Sequence, residues 1–152
     1  MKEDSLLLQN QLCFPVYAAS RLIIREYQPY LDELEITYPQ YIALMVLWEK
    51  DGLTVNEMGE RLILNTNTVT PLLKRMEKQE LIERKRSKKD ERRVIISLTT
   101  KGRDLQERAL KIPEALSRRI MEGPFDREEL NALKSSLDKL NGYLSGRNSP
   151  KE

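Results

Sequence analysis

The chain of 152 residues carries 26 basic and 24 acidic side chains, one cysteine and no histidine, for a formal net charge of +2. A single cysteine rules out an intrachain disulfide and a thiolate zinc cluster, and the lack of histidine rules out Cys-His or Ser-His catalysis and the commonest metal ligand, so no metal or cofactor is expected. No glycine-rich phosphate loop is present, no apolar run reaches the ~18 residues of a membrane span, and the polar start Met1-Lys2-Glu3-Asp4 is wrong for a secretory signal, so the expectation is one cytoplasmic domain with no membrane partner.

Residues 5–28 place Leu8, Leu12, Val16, Leu22 and Ile23 in a helical pattern that ends at Pro29, and Tyr38 to Trp48 reads as a second, shorter helix. A third opens at Thr54. Glu57 lies three residues on, so hydroxyl and carboxylate can each satisfy a free amide of the helix start, and Met58 and Leu62 mark the buried side. A turn at 63–65 leads to Asn65 or Thr66 as the cap of a fourth helix, whose Val69, Leu72, Leu73 and Met76 form one apolar stripe. Two short helices joined by a tight turn make a helix-turn-helix.

The polar side of the fourth helix carries Thr66, Asn67, Thr68, Thr70 and Pro71 in its first turns, with Lys74 and Arg75 a turn later. Short hydrogen-bonding and methyl-bearing groups suit base edges in a major groove, and the cations suit phosphates or guanine. An ordinary capped amphipathic helix would look the same in isolation; the next segment shifts the balance. Arg84, Lys85, Arg86, Lys88, Lys89, Arg92 and Arg93 face only Glu83, Asp90 and Glu91, and 94–98 then reads as a strand. A basic loop between two strands after a recognition-type helix is a wing. The charge is also segregated: residues 1–64 are net −5, residues 65–103 net +7 and residues 104–152 neutral. Positive charge gathered where the groove-facing elements lie favours a polyanion such as double-stranded DNA.

After the wing, Thr99 caps a helix running toward Gly123-Pro124, with Pro113 expected to bend it. Asp126 with Glu129 opens the last helix, where Leu130, Leu133, Leu137, Leu140 and Leu144 recur at alternating three and four residues, the spacing of a helix-helix seam. Residues 145–152 read as a frayed tail. The fold class is mainly α with a small β wing. Its one structural domain divides into N-terminal sensor and dimerisation helices (1–50), a winged helix-turn-helix (51–100), C-terminal dimerisation helices (101–146) and a tail (147–152). Terminal helices flanking so small a core leave apolar faces uncovered, which points to a two-fold homodimer through the first and last helices. Two recognition helices related by a two-fold axis call for an inverted-repeat operator with half-sites roughly 10 base pairs apart.

Cys13 stands among apolar residues, where a lone cysteine is commonly a small buried hydrophobe. Its surroundings suggest otherwise. Pro15 is favoured near a helix start, which would put the sulfur by free amides and the positive end of the dipole, an environment suited to a thiolate. Tyr17 lies one turn along the same face. Tyr27 is 14 residues away, about 21 Å along a continuous helix, and can meet this sulfur only through a break in the helix or from an antiparallel partner.

Gln11-Leu12-Cys13-Phe14, Tyr17, Tyr27, Thr37-Tyr38-Pro39-Gln40-Tyr41, Thr68-Val69-Thr70-Pro71-Leu72-Leu73-Lys74-Arg75-Met76, Asp90-Glu91-Arg92, Ile96-Ser97-Leu98-Thr99 and Gly102 together resemble the MarR family. More narrowly, they resemble its one-cysteine organic-hydroperoxide sensors, the OhrR repressors, over roughly residues 5–145. The resemblance implies a homodimeric repressor whose thiolate is oxidised by organic hydroperoxide to sulfenic acid. It also implies that Tyr27 and Tyr38 of the partner subunit bond that thiolate, with Tyr17 nearby. A mixed disulfide with a small cellular thiol, or a cyclic sulfenamide, then disturbs the network. Arg92 or Arg93 at the wing tip would enter the minor groove, and Asp90 would brace the wing through an arginine. Pro15, and Asn65-Thr66-Asn67 at the start of the recognition helix, depart from the pattern of close relatives. Two other readings of the residues are a regulator released by a small aromatic ligand with Cys13 structural, and a thiol peroxidase using Cys13.

Overall fold

Pro15 decides where the first long helix begins. The computed structural model describes residues 4–148. In it Asp4–Leu6 and Leu8–Asn10 are two 3-10 turns, and the helix pattern read from residue 5 becomes α-helical at α1, Cys13–Glu33. Pro15 is third in α1, where its missing N–H would have had no partner in any case. Pro29, expected to end the helix, lies inside it. Its ring is exposed, so the bond it deletes is on the solvent side, while Leu31 and Leu34 are buried in the core and hold the last turn in place.

α2, Tyr38–Glu49, has Pro39 in its first turn and buries Tyr41, Ala43, Leu44, Val46 and Leu47, so it is the central helix of the core. The helix-turn-helix comprises α3, Val55–Leu62, and α4, Thr66–Lys78. The capping box at Thr54 is formed: Glu57 N–H donates to Thr54 Oγ1 at 3.2 Å and Thr54 N–H to Glu57 Oε2 at 2.7 Å. Of the two caps considered, Asn65 and not Thr66 caps α4. Val69, Leu72, Leu73 and Met76 are all buried, as their stripe requires. Met58 is fully buried, whereas Leu62 is only partly so.

β1, Leu53–Thr54, β2, Ile82–Arg86, and β3, Val94–Leu98, form an antiparallel sheet in the order β1-β3-β2, with Leu53 opposite Ile96 and Arg86 opposite Val94. The wing is the β2–β3 hairpin. Thr99 caps the next helix, its Oγ1 accepting Gly102 N–H at 3.0 Å. The single bent helix expected there is two: α5, Thr100–Ala109, and α6, Ile112–Met121. Pro113 sits in the first turn of α6, so it starts a new helix instead of bending an old one. α7, Arg127–Asn148, opens with Asp126 and Glu129 bonding each other's backbone amides at 2.8 and 2.9 Å. It runs through 145–148, where a frayed tail was expected; residues 149–152 lie outside those described.

Three helix ends close on residues with positive φ that are not glycine: Glu35 (56°), Ile63 (54°) and Glu80 (59°). Each is followed by an amide reaching back to a carbonyl five residues earlier: Ile36 to Leu31, Leu64 to Gly59 and Leu81 to Met76. Those closures set the angles between α1 and α2, α3 and α4, and α4 and the wing. Among the described residues, no helix is long and apolar enough to cross a membrane.

Candidate nucleic-acid interface and thiol site

The exposed side of α4 begins with a local hydrogen-bond set. Asn65 Oδ1 accepts Thr68 N–H at 3.0 Å and the Thr68 hydroxyl at 3.1 Å, so the Thr68 side chain is fixed by the cap and offers outward its methyl and oxygen lone pairs. Thr66, Asn67, Thr68, Pro71, Lys74 and Arg75 are exposed and Thr70 is partly buried. Among the described residues neither Lys74 nor Arg75 enters an ion pair.

The wing splits its cations into held and free ones. Arg84 reaches back to Glu77 of α4 at 3.4 Å, Lys85 pairs with Glu83, and Arg93 Nε lies 3.5 Å from Asp90 Oδ2. Asp90 Oδ1 also accepts Arg92 N–H at 3.1 Å, and its carbonyl accepts Arg93 N–H at 2.9 Å, so one residue organises the tip. Ser87 Oγ accepts the amides of Lys89 at 3.2 Å and Asp90 at 3.4 Å. Arg86, Lys88, Lys89 and Arg92 are exposed, and among the described residues none is ion-paired. Unneutralised cations on a shaped tip beside a polar helix face suit a polyanion with grooves.

Cys13 is exposed in the first turn of α1. Among the described residues no hydrogen bond joins its thiol to a tyrosine. Tyr17, one turn on, is exposed and engaged by Arg21, whose Nη1 donates to the phenol oxygen at 3.4 Å and whose guanidinium lies 5.5 Å from the ring centre. Tyr27 and Tyr38 do come together, with ring centres 5.0 Å apart. The sequence reading missed Tyr41, 5.8 Å from Tyr27 and 6.4 Å from Tyr38; its place three residues after Tyr38 on one helix was the available signal. Burial, followed by the neighbouring Tyr38 and Tyr41, pushes the Tyr27 phenol up to about 12. Burial raises Tyr38 and Tyr41 as well. All three are protonated near neutrality and able to donate a hydrogen bond to an anion.

Apolar side chains stand exposed on both α1 and α7. Phe14, Val16, Leu22 and Ile23 of α1 and Leu133, Tyr143 and Leu144 of α7 are exposed. α7 makes no extended packing with another element among the described residues.

The family model described as Transcriptional regulator SarA/Rot matches residues 25–109. The organic hydroperoxide resistance transcriptional regulator of Bacillus subtilis (strain 168) is 50% identical over 147 residues, covering 97% of this chain and 98% of that protein. AbfR of Staphylococcus epidermidis overlays with a TM-score of 0.71 at 36% identity, across 96% of this chain and 97% of that one. AbfR bound to DNA overlays at 0.73 in both its reduced and its overoxidised form, at 37% identity across 95% of this chain and 99% of that one. Its disulfide form overlays at 0.58, at 38% identity across 96% of this chain and 95% of that one. With α3, α4 and the wing arranged as described, the chain belongs to the SarA/Rot and MarR-type winged helix-turn-helix transcriptional regulators, among the organic-hydroperoxide resistance regulators.

Proposed function

We propose that the chain is a homodimeric, cytoplasmic repressor that holds an inverted-repeat operator while Cys13 is reduced and releases it after organic hydroperoxide oxidises that thiol. The observation that carries this reading lies along α1. An exposed sulfur in the first turn of α1 and the protonated Tyr27 phenol nearer its other end share one helix with exposed apolar side chains, and Tyr38 and Tyr41 of α2 lie against Tyr27. A partner's α1 running antiparallel would lay its tyrosines against this sulfur, and the same contact would cover Phe14, Val16, Leu22 and Ile23.

The terminal oxygen of the peroxide transfers to the thiolate, giving sulfenic acid and the corresponding alcohol. With no second cysteine in the chain, a small cellular thiol condenses with the sulfenic acid, forming a mixed disulfide and releasing water. Exchange with a further thiol restores Cys13. AbfR was captured on DNA in its overoxidised form, and its disulfide form overlays this chain less well. Both facts favour a disulfide, not added oxygen, as the releasing species here. The oxidised sulfur is a signal, and no catalytic turnover is assigned to it.

On DNA, the first turns of α4 from Thr66 to Pro71 would meet base edges, with Lys74 and Arg75 on phosphates or guanine. Arg86, Lys88, Lys89, Arg92 and Arg93 would follow the backbone and minor groove, with Asp90 bracing the tip. The test is DNA binding titrated against cumene hydroperoxide with a small thiol present, in wild type and Cys13→Ser. Loss of the response in the variant is expected; an equal response in both removes the thiol from the mechanism. A cleft of about 590 Å³ between α1, α2 and α4 favours a second reading, a small-molecule effector with Cys13 structural. Asp32, Glu35, Arg75 and Lys78 in its lining would select for charged or hydrogen-bonding groups on such a ligand.

A further inference from the structure

Gln40 is a polar side chain buried in the core, only 4% exposed. The orientation of its amide is determined by its neighbours. Oε1 accepts the backbone N–H of Thr37 at 2.9 Å, and because that group can only donate, Nε2 is the end turned toward α4. There it donates to Gln79 Oε1 at 2.6 Å. Gln79 is the C-cap directly after the recognition helix: its N–H bonds the Arg75 carbonyl, and its own carbonyl accepts Lys101 Nζ at 2.9 Å.

Gln40 stands between Tyr38 and Tyr41 in the first turn of α2, and both of those rings lie against Tyr27. One side chain therefore connects the tyrosine-bearing start of α2 to the end of α4. Leverage follows from the length of α4. Its 13 residues span roughly 20 Å, and Asn67 lies at the end far from Gln79, so a small tilt at Gln79 becomes a larger displacement of the groove-facing residues. The pair also has room to separate. The cleft of about 590 Å³ opens directly beside it, lined by Gln28, Thr37, Gln40, Arg75 and Gln79 among others, so parting the amides does not first require expelling packed side chains.

We propose that the Gln40–Gln79 pair is the joint through which the state of the thiol site sets the tilt of the recognition helix, with Gln40 a positioning residue and Gln79 its acceptor. The proposal rests on the peroxide-switching reading above. Donor and acceptor roles make it specific: Gln79→Glu keeps an acceptor facing Gln40 Nε2, whereas Gln79→Met removes it from an exposed side chain without touching the core.

The experiment uses full-length wild type and both variants, with a duplex selected from random sequence on the reduced wild type. Affinity is measured reduced and after cumene hydroperoxide with free cysteine, while mass spectrometry follows the rate of Cys13 modification. Wild type and Gln79→Glu are expected to lose affinity on oxidation by the same factor. In Gln79→Met that factor shrinks about fivefold or more, while Cys13 is modified at the wild-type rate. The wild-type factor in Gln79→Met, equal weakening of its two states, or Gln79→Glu behaving as Gln79→Met would overturn the joint and leave the switch standing. A wild type whose affinity ignores oxidation would overturn the switch and the joint together.

Discussion

The indole N–H of Trp48 donates to the carbonyl of Gly102 at 2.9 Å, tying the last turn of α2 to the first turn of α5. Gly102 is pressed against Leu81 at the foot of the wing: a Cβ at residue 102 would lie 2.1 Å from the Leu81 carbonyl oxygen. That carbonyl also accepts Thr99 N–H at 3.2 Å, so it cannot move aside freely. Gly102→Ala is therefore expected to lower stability by about 3 kcal/mol through overpacking. Trp48→Phe, which removes the hydrogen bond while keeping an aromatic ring, should cost about 1 kcal/mol. Urea unfolding followed by circular dichroism checks both, and equal small effects would show that the backbone at Gly102 gives way.

Ile63 is a branched, exposed side chain in a left-handed conformation, with φ of 54° and 62% of its surface open. For such a residue that conformation costs roughly 1–2 kcal/mol, and at this exposure little packing offsets it. Asparagine adopts the same backbone more readily. Ile63→Asn is expected to raise stability by about 1 kcal/mol, read as a higher urea midpoint with an unchanged slope. A lower midpoint would mean that the exposed side chain has a stabilising contact in the assembled protein.

Local chemistry made much of this fold legible in the sequence. The Thr54–Glu57 and Asp126–Glu129 boxes, the Asn65 cap, the α4 stripe and the basic hairpin each depend on groups within a few residues of one another. Proline was harder to read because its effect depends on what its deleted bond would have faced. Pro29 is tolerated on the solvent side of α1, while Pro113 begins a new helix. The long-range pairs Gln40–Gln79 and Trp48–Gly102 left no periodic or spacing signal, since they join residues 39 and 54 apart. Among the tyrosines, the resemblance brought Tyr27 and Tyr38 to one sulfur and the structure brings their rings together, while the four-residue spacing by which Arg21 engages Tyr17 went unread.

Arg92 sits at the wing tip with its N–H bonded to Asp90 and its guanidinium exposed. If that cation meets phosphates or a narrow minor groove, Arg92→Ala should weaken binding on every sequence tested. It should also lower the slope of log affinity against log salt by about 1. Fold stability should stay within about 0.5 kcal/mol of wild type, as for an exposed residue without a buried partner. Unchanged affinity and slope would take Arg92 out of the interface.

Tyr27 links the thiol site to alkaline stability. Its phenol titrates near 12 in the folded chain and near 10 once unfolded, so between those values the unfolded state has lost a proton that the native state keeps. The contribution is fully present below pH 10 and declines as pH rises toward 12, and Tyr38 and Tyr41, also raised by burial, add to the same decline. Urea midpoints measured from pH 9 to 11.5 should therefore fall, and Tyr27→Phe should flatten the fall while leaving the midpoint at pH 8 nearly unchanged. The same variant removes one donor without reducing core volume, so in the peroxide-switching reading Cys13 should oxidise more slowly while the reduced protein keeps its DNA affinity. A midpoint that holds level to pH 11.5 in wild type would show that the ring cluster opens to water, and an unchanged oxidation rate would show that this hydroxyl does not reach the sulfur.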